Sequence, residues 1–178
     1  MKLIVIAHNI RSTHNIGSIL RTSDGLGVAK VFCTGYTPYP TLPNDERLPH
    51  MRDKLTKQIN KTALGAEKTV SVRHSYELGP VLTELKSSGY QLVALEQSPQ
   101  AIMLPDFIPT SDRLALLLGE EVHGIPADLL KRFDSIIEIP MSGTKESFNV
   151  SVAAGIALYG LRLPAASTRP TTGTPFTS

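Results

Sequence analysis

The sequence predicts an α/β fold, one domain with a mostly parallel sheet flanked by helices, and three observations carry that prediction. Short apolar runs of strand length alternate with stretches of helical periodicity over residues 2–163. A chain of 178 residues fits a single domain whose core can stand without disulfides or structural metal. Cys33 is the only cysteine, so no disulfide framework competes with that core.

The elements follow in order. A buried strand is expected at 2–7, where Leu3, Ile4, Val5, Ile6 and Ala7 run together, and a polar turn follows it. Ser12 or Thr13 can cap a helix over 13–26, with Ile16, Ile19, Leu20 and Leu26 as its buried stripe. A second strand is read at 30–34. Residues 35–49 hold Pro38, Pro40, Pro43 and Pro49 with Tyr36 and Tyr39, which predicts an irregular surface loop of the kind that often carries function. A helix over 52–64, a strand at 69–72, a helix over 76–88 and strands at 91–95 and 114–118 come next. Pro126 suits the start of a helix over 127–132, and a strand at 135–139 leads to a last helix over 147–163. There Val150, Ala153, Ala154, Ala157, Leu158 and Leu161 keep helical spacing, and Ala and Gly make the helix thin enough to pack closely within the subunit or across a dimer. The Thr- and Pro-rich tail at 164–178 is expected to lack fixed structure. In parallel sheets ligands sit beyond the carboxyl ends of strands, which groups the loops after Leu95, Leu118 and Ile139 as candidates.

A formal net charge of +2 does not identify a nucleic-acid binder, because affinity for phosphates follows local clusters of Lys and Arg. One cluster lies at 47–61, where Arg47, His50, Arg52, Lys54, Lys57 and Lys61 outnumber Asp45, Glu46 and Asp53; a solvated helix face is the bland alternative. The apolar run 3–7 is too short for a signal peptide and 150–161 falls short of a membrane span, so a cytoplasmic protein is expected. His8, His14, His50, His74 and His123 lack a matching set of spaced ligands, and no metal is expected.

Three segments carry the chemistry. In 9–21, His14, Gly17 and Arg21, with Asp24 beyond, recur at spacings of three and four; Gly17 would leave room one turn before Arg21. The bland alternative is an exposed Arg21 paired with Asp24. In 116–126, Gly119 and Gly124 flank Glu120 and Glu121 just after a buried strand, which allows close backbone approach to a ligand. In 139–153 a strand end passes through a polar turn into the thin helix. Asn149 brings donors and acceptors, Ser147 a hydroxyl, and the helix start its unpaired amides, together suited to a polar ligand group.

Asn15-x-Gly17-x-x-x-Arg21, then Gly119-x-Glu121-x-x-Gly124, then Ile139-Pro140-Met141 through Ser147-Phe148-Asn149-Val150-Ser151-Val152-Ala153 is a specific ordered set. It resembles the SpoU (TrmH-like) branch of the SPOUT RNA methyltransferases. The resemblance implies a SPOUT-type domain over 1–163 with a C-terminal trefoil knot, which connection rules alone do not predict. It implies ribose 2′-O-methylation of tRNA or rRNA with S-adenosylmethionine as donor, and a homodimer whose active site is completed across the interface. Carried onto this sequence, Arg21 matches the catalytic arginine, Asn15 its motif partner, Glu121 the acid of the second motif, and Ser147 with Asn149 the polar pair of the third. Donor contacts fall on Leu95, Gly119, Ile139 and Phe148, the last standing where the family often has Leu. RNA contact is expected from Arg11, Arg52, Lys54, Lys57 and Lys61, with His123. With no long N-terminal RNA-binding domain in the sequence, the architecture is nearer to the tRNA wobble-position enzymes, which favours tRNA.

A guanidinium stays protonated, with a pKa above about 12. Arg21 is therefore expected to hold the phosphate beside the target ribose and polarise its hydroxyl, the proton leaving through phosphate or solvent. A catalytically silent RNA-binding module of the same fold is the alternative. A dinucleotide or P-loop enzyme is disfavoured, because the turn after the first strand lacks a Gly-rich phosphate fingerprint.

Overall fold

The structure is a computed structural model that describes residues 1–120 and 123–162. The tail at 164–178 and Glu121 therefore lie outside the described residues. In chain order the elements are β1 (Lys2–His8), α1 (Thr13–Gly25), β2 (Lys30–Thr34), α2 (Pro49–Ala63), α3 (Ala66–Thr69), β3 (Val72–Ser75), α4 (Leu78–Ser87) and β4 (Gln91–Leu95). They continue with β5 (Ile102–Met103), a short 3₁₀ turn at Leu104–Asp106, β6 (Arg113–Leu118), α5 (Ala127–Leu130), β7 (Ser135–Glu138) and α6 (Val150–Arg162). The strands form one sheet in the order β3-β2-β1-β6-β4-β7-β5, with every neighbouring pair parallel.

Both faces of this sheet are covered. Leu3, Val5, Ala7, Leu114, Leu116 and Leu118 pack with Ile16, Ile19 and Leu20 of α1 and Ala154, Ala157 and Leu158 of α6. Their neighbours in sequence, Ile4, Ile6, Ala115 and Leu117, face the other way and meet Leu78, Val81, Leu82 and Leu85 of α4. Strands buried on both sides read as unbroken apolar runs, which is why β1, β2, β4 and β6 were legible. Cys33 lies in this core with its thiol pushed up to about 12 by burial, so it is a packing residue and not a nucleophile. No described helix is long and apolar enough to cross a membrane.

Several expected elements shift, among them α4, which opens at Leu78 instead of Tyr76, and α5, which ends at Leu130 instead of 132. The strand expected at 69–72 is displaced: Val70 ends α3 by donating to the Ala66 carbonyl, and pairing with β2 runs from Val72 to Ser75. Val70 is buried in the core as the residue that caps α3 and not as part of a strand. Helix α2 begins at Pro49, three residues earlier than the pattern suggested, because a proline at the first helical position gives up no hydrogen bond. The edge strand β5 has half-exposed side chains and only two residues, so it carries no apolar run. Helix α6 begins at Val150 and leaves Ser147 and Phe148 in the preceding turn.

Gly17 serves a packing role instead of leaving room for a ligand. A Cβ there would fall on the Thr62 hydroxyl and the Ile59 carbonyl of α2, and that Thr62 hydroxyl donates to the His14 carbonyl at 2.8 Å. The helix backbones are too close for any side chain. Gly17→Ala is expected to cost about 3 kcal/mol and to lower Tm by roughly 5–10 °C in thermal unfolding. A Tm unchanged from wild type would show slack between α1 and α2 that this packing denies.

Candidate functional site

Because β4 lies between β6 and β7, the turns that follow these three strands emerge side by side. They line a cavity of about 310 Å³ together with the segment that leads into α6. Leu95, Gly119, Ile139 and Phe148, the four residues matched to donor contacts, all border it, and Ser147 does too. Glu120 of the second motif borders it as well, and Glu96 and Glu138 add carboxylates that sequence reasoning missed. The available signal was position, since Glu96 follows directly on the carboxyl end of β4 and Glu138 ends β7.

The second motif braces this wall. The Gly124 amide donates to the Glu120 carbonyl at 3.1 Å, and Gly124 adopts φ +65°. A Cβ on Gly124 would strike the Glu96 carboxylate, which accepts the Ile125 amide at 2.6 Å; a Cβ on Gly119 would strike the Ile125 side chain. The room left by these two glycines is thus taken by the protein itself.

The third motif meets the first. Asn149 heads α6: its carbonyl accepts from the Ala153 amide and its side-chain oxygen accepts from the Ser151 amide, both at 2.9 Å. Its side-chain nitrogen donates to the Asn15 side-chain oxygen at 3.2 Å, tying α6 to α1. Ser12 caps α1 by accepting from the Asn15 amide. Asn149 does not border the cavity; it fixes the turn that does. Arg21 is exposed on α1, is not among the cavity's lining residues and makes no ion pair among the described residues. Asp24, its sequence-level partner, instead accepts from Thr69 at 2.6 Å.

Arg11 pairs with Glu120 at 2.8 Å, and His123 approaches the same carboxylate at 3.3 Å. Burial would raise the Glu120 carboxyl, but the His123 hydrogen bond and the Arg11 charge bring it below its usual range. Lys54, Lys57 and Lys61 are exposed along α2, while Arg52 is half-buried beside Asp53 at 3.6 Å. A second cavity of about 590 Å³ lies between Arg11, the 35–48 loop and the end of β3. Tyr76 borders it, because the residue precedes α4 instead of opening it. Along α6, Val152, Ile156 and Tyr159 continue from Phe148 as an exposed apolar stripe at helical spacing.

The sequence model of the SpoU rRNA Methylase family matches residues 2–159. The chain is 32% identical over 160 residues to the 23S rRNA (guanosine-2'-O-)-methyltransferase RlmB of Neisseria meningitidis, covering 90% of this chain and 58% of that protein. It is 31% identical over 157 residues to the tRNA (guanosine(18)-2'-O)-methyltransferase of Aquifex aeolicus, covering 88% of this chain and 67% of that one. The chain thus spans between about half and two thirds of the length of these relatives. Its fold matches that of an AdoMet-bound rRNA methyltransferase from Sinorhizobium meliloti with TM-score 0.74 at 22% identity, over 90% of this chain and 56% of the other. With a family model matched over residues 2–159, the chain belongs to the SpoU rRNA Methylase family.

Proposed function

We propose that this chain carries an S-adenosylmethionine-dependent ribose 2′-O-methyltransferase activity toward tRNA or rRNA. The observation that supports it is the convergence of three distant segments: the turns after β4, β6 and β7 share one cavity, and Asn149 ties that cavity's turn to Asn15. The lining suits the donor. Leu95, Ile139 and Phe148 offer apolar walls for an adenosine, and Glu96, Glu120 and Glu138 offset the charge of a sulfonium. S-adenosylmethionine, when bound, supplies the transferable methyl group.

The chain's own contribution is alignment, which can account for a large part of a barrier's reduction. Arg21 holds the phosphate beside the target ribose and polarises its hydroxyl, with the proton leaving through phosphate or solvent. Ser147 orients the nucleotide or the donor, Asn15 and Asn149 hold its turn, and Glu121 completes the second motif. Arg11, Arg52, Lys54, Lys57 and Lys61 contact RNA phosphates. A second copy of the chain covers the stripe on α6, in line with the size of the apolar residues exposed there. The insertion of β7 between β4 and β5 is compatible with a knotted threading. Of the two relatives, one is named for tRNA and one for 23S rRNA; tRNA is slightly favoured, and a cytoplasmic location is in keeping with an RNA substrate.

Incubation with methyl-labelled donor and separate pools of total tRNA and rRNA, followed by mapping of methylated riboses, tests the activity. Transfer to neither pool despite donor binding would leave the silent module as the better account. Gly124→Ala is expected to lower donor affinity about tenfold, since it strains a positive φ and displaces Glu96 from the cavity wall. Calorimetric titration with S-adenosylmethionine reads this directly, and wild-type affinity would detach the turn from the donor site.

A further inference from the structure

Tyr36 and Tyr76 stand just beyond the carboxyl ends of β2 and β3, neighbouring strands on which Thr34 pairs with Ser75. The two residues are 51% and 78% exposed, unusual for aromatic residues on a rigid base. That base is a stack. Tyr39 lies over His74 with centroids 4.0 Å apart and planes 18° from parallel, and Tyr76 meets His74 edge-on at 4.6 Å. Against Tyr39 the Arg47 guanidinium stands 3.6 Å from the ring centroid, fixed by Asp45 and by the carbonyls of Tyr39 and Pro40. Tyr39 and Arg47 are thereby occupied in shaping the 35–48 loop.

Arg11 is not occupied in this way. Its side chain is 67% exposed, stands 5.7 Å from the Tyr36 ring centroid, interacts with the Tyr36 side chain and uses one terminal nitrogen on Glu120, which leaves other N–H groups of the guanidinium toward solvent. Glu120 also borders the donor cavity, so Arg11 and Tyr36 form the wall between the two cavities.

We propose that the second cavity receives one unstacked base of a single-stranded RNA segment, stacked on Tyr76 and Tyr36, with the adjoining phosphate on Arg11. Exposed rings beside a guanidinium with spare donors match the two parts of a nucleotide, the base face and the phosphate. Through the shared wall, the captured base belongs to a nucleotide close to the one whose ribose reacts. Leu55 and Gln58 of α2 border the same cavity, which sets the lysines of α2 beside the path of the strand. This inference rests on the RNA substrate proposed above and adds the place where a flanking nucleotide is held.

The test uses the full chain and a fluorescein-labelled single-stranded RNA oligonucleotide of random sequence, read by anisotropy. Tyr36→Ala and Tyr76→Ala are each expected to weaken binding about tenfold, and Tyr76→Trp to preserve it. Affinity for S-adenosylmethionine should be unchanged in the two Tyr76 variants, whose side chain does not border the first cavity, which separates lost stacking from a disturbed fold. Wild-type RNA affinity in both alanine variants overturns the site while leaving the RNA substrate in place. Failure of the wild-type chain to bind the oligonucleotide overturns both.

Discussion

Replacing Arg21 with Ala is expected to reduce methyl transfer to RNA by at least about a hundredfold while leaving donor affinity unchanged. The separation follows from geometry, because Arg21 does not border the cavity proposed for the donor and its guanidinium has no ion pair among the described residues. An exposed cation on a well-packed helix contributes little to stability, so the loss should fall on turnover and not on Tm. Arg21→Lys keeps the charge but not the planar fork, and it should recover only a small part of the lost rate. Near-normal turnover in the Lys variant would mean that a point charge suffices and that the bidentate hold on phosphate is wrong.

The parts of the fold that were readable from sequence are those whose environment is uniform along the chain. β2 and β4 fall at the expected residues because both of their faces are buried, and an apolar run has no other place to go in a sheet of this kind. The sheet's two edges lack that constraint. β3 holds Arg73, His74 and Ser75, and β5 is a pair of half-exposed residues, so neither leaves a pattern. The same blind spot hid the second cavity: with β3 placed too early, Tyr76 joined a helix and lost its position beside Tyr36. Around the first cavity, motif order was legible but the division of labour was not. Gly17, Gly119 and Gly124 all suggested space for a ligand, yet their missing side chains make room for α2, Ile125 and Glu96. A glycine in a motif shows that something approaches closely, and only the fold shows what.

A dimer holding one Arg21→Ala chain and one Gly119→Val chain is expected to keep about half of wild-type turnover, although each variant alone should be inactive. Phe148 both borders the cavity proposed for the donor and heads the exposed stripe of Val152, Ile156 and Tyr159, so a second copy seated on α6 would stand at the cavity mouth. Helix α1 packs against α6, and Thr22 lies 3.7 Å from where a Gly155 side chain would start. If one chain's Arg21 serves its partner's cavity, the mixed dimer has one complete site of two. Valine at position 119 collides with Ile125 and should close the cavity of its own chain without touching the α6 stripe. Co-expression with two affinity tags and purification through both isolates the mixed species. No turnover in that species, with both chains folded, would mean that each site is built from a single chain. Ile156→Arg completes the argument, since a charge set into the stripe should yield monomers by sedimentation. Those monomers should lose methyl transfer, because no partner's Arg21 then reaches the cavity.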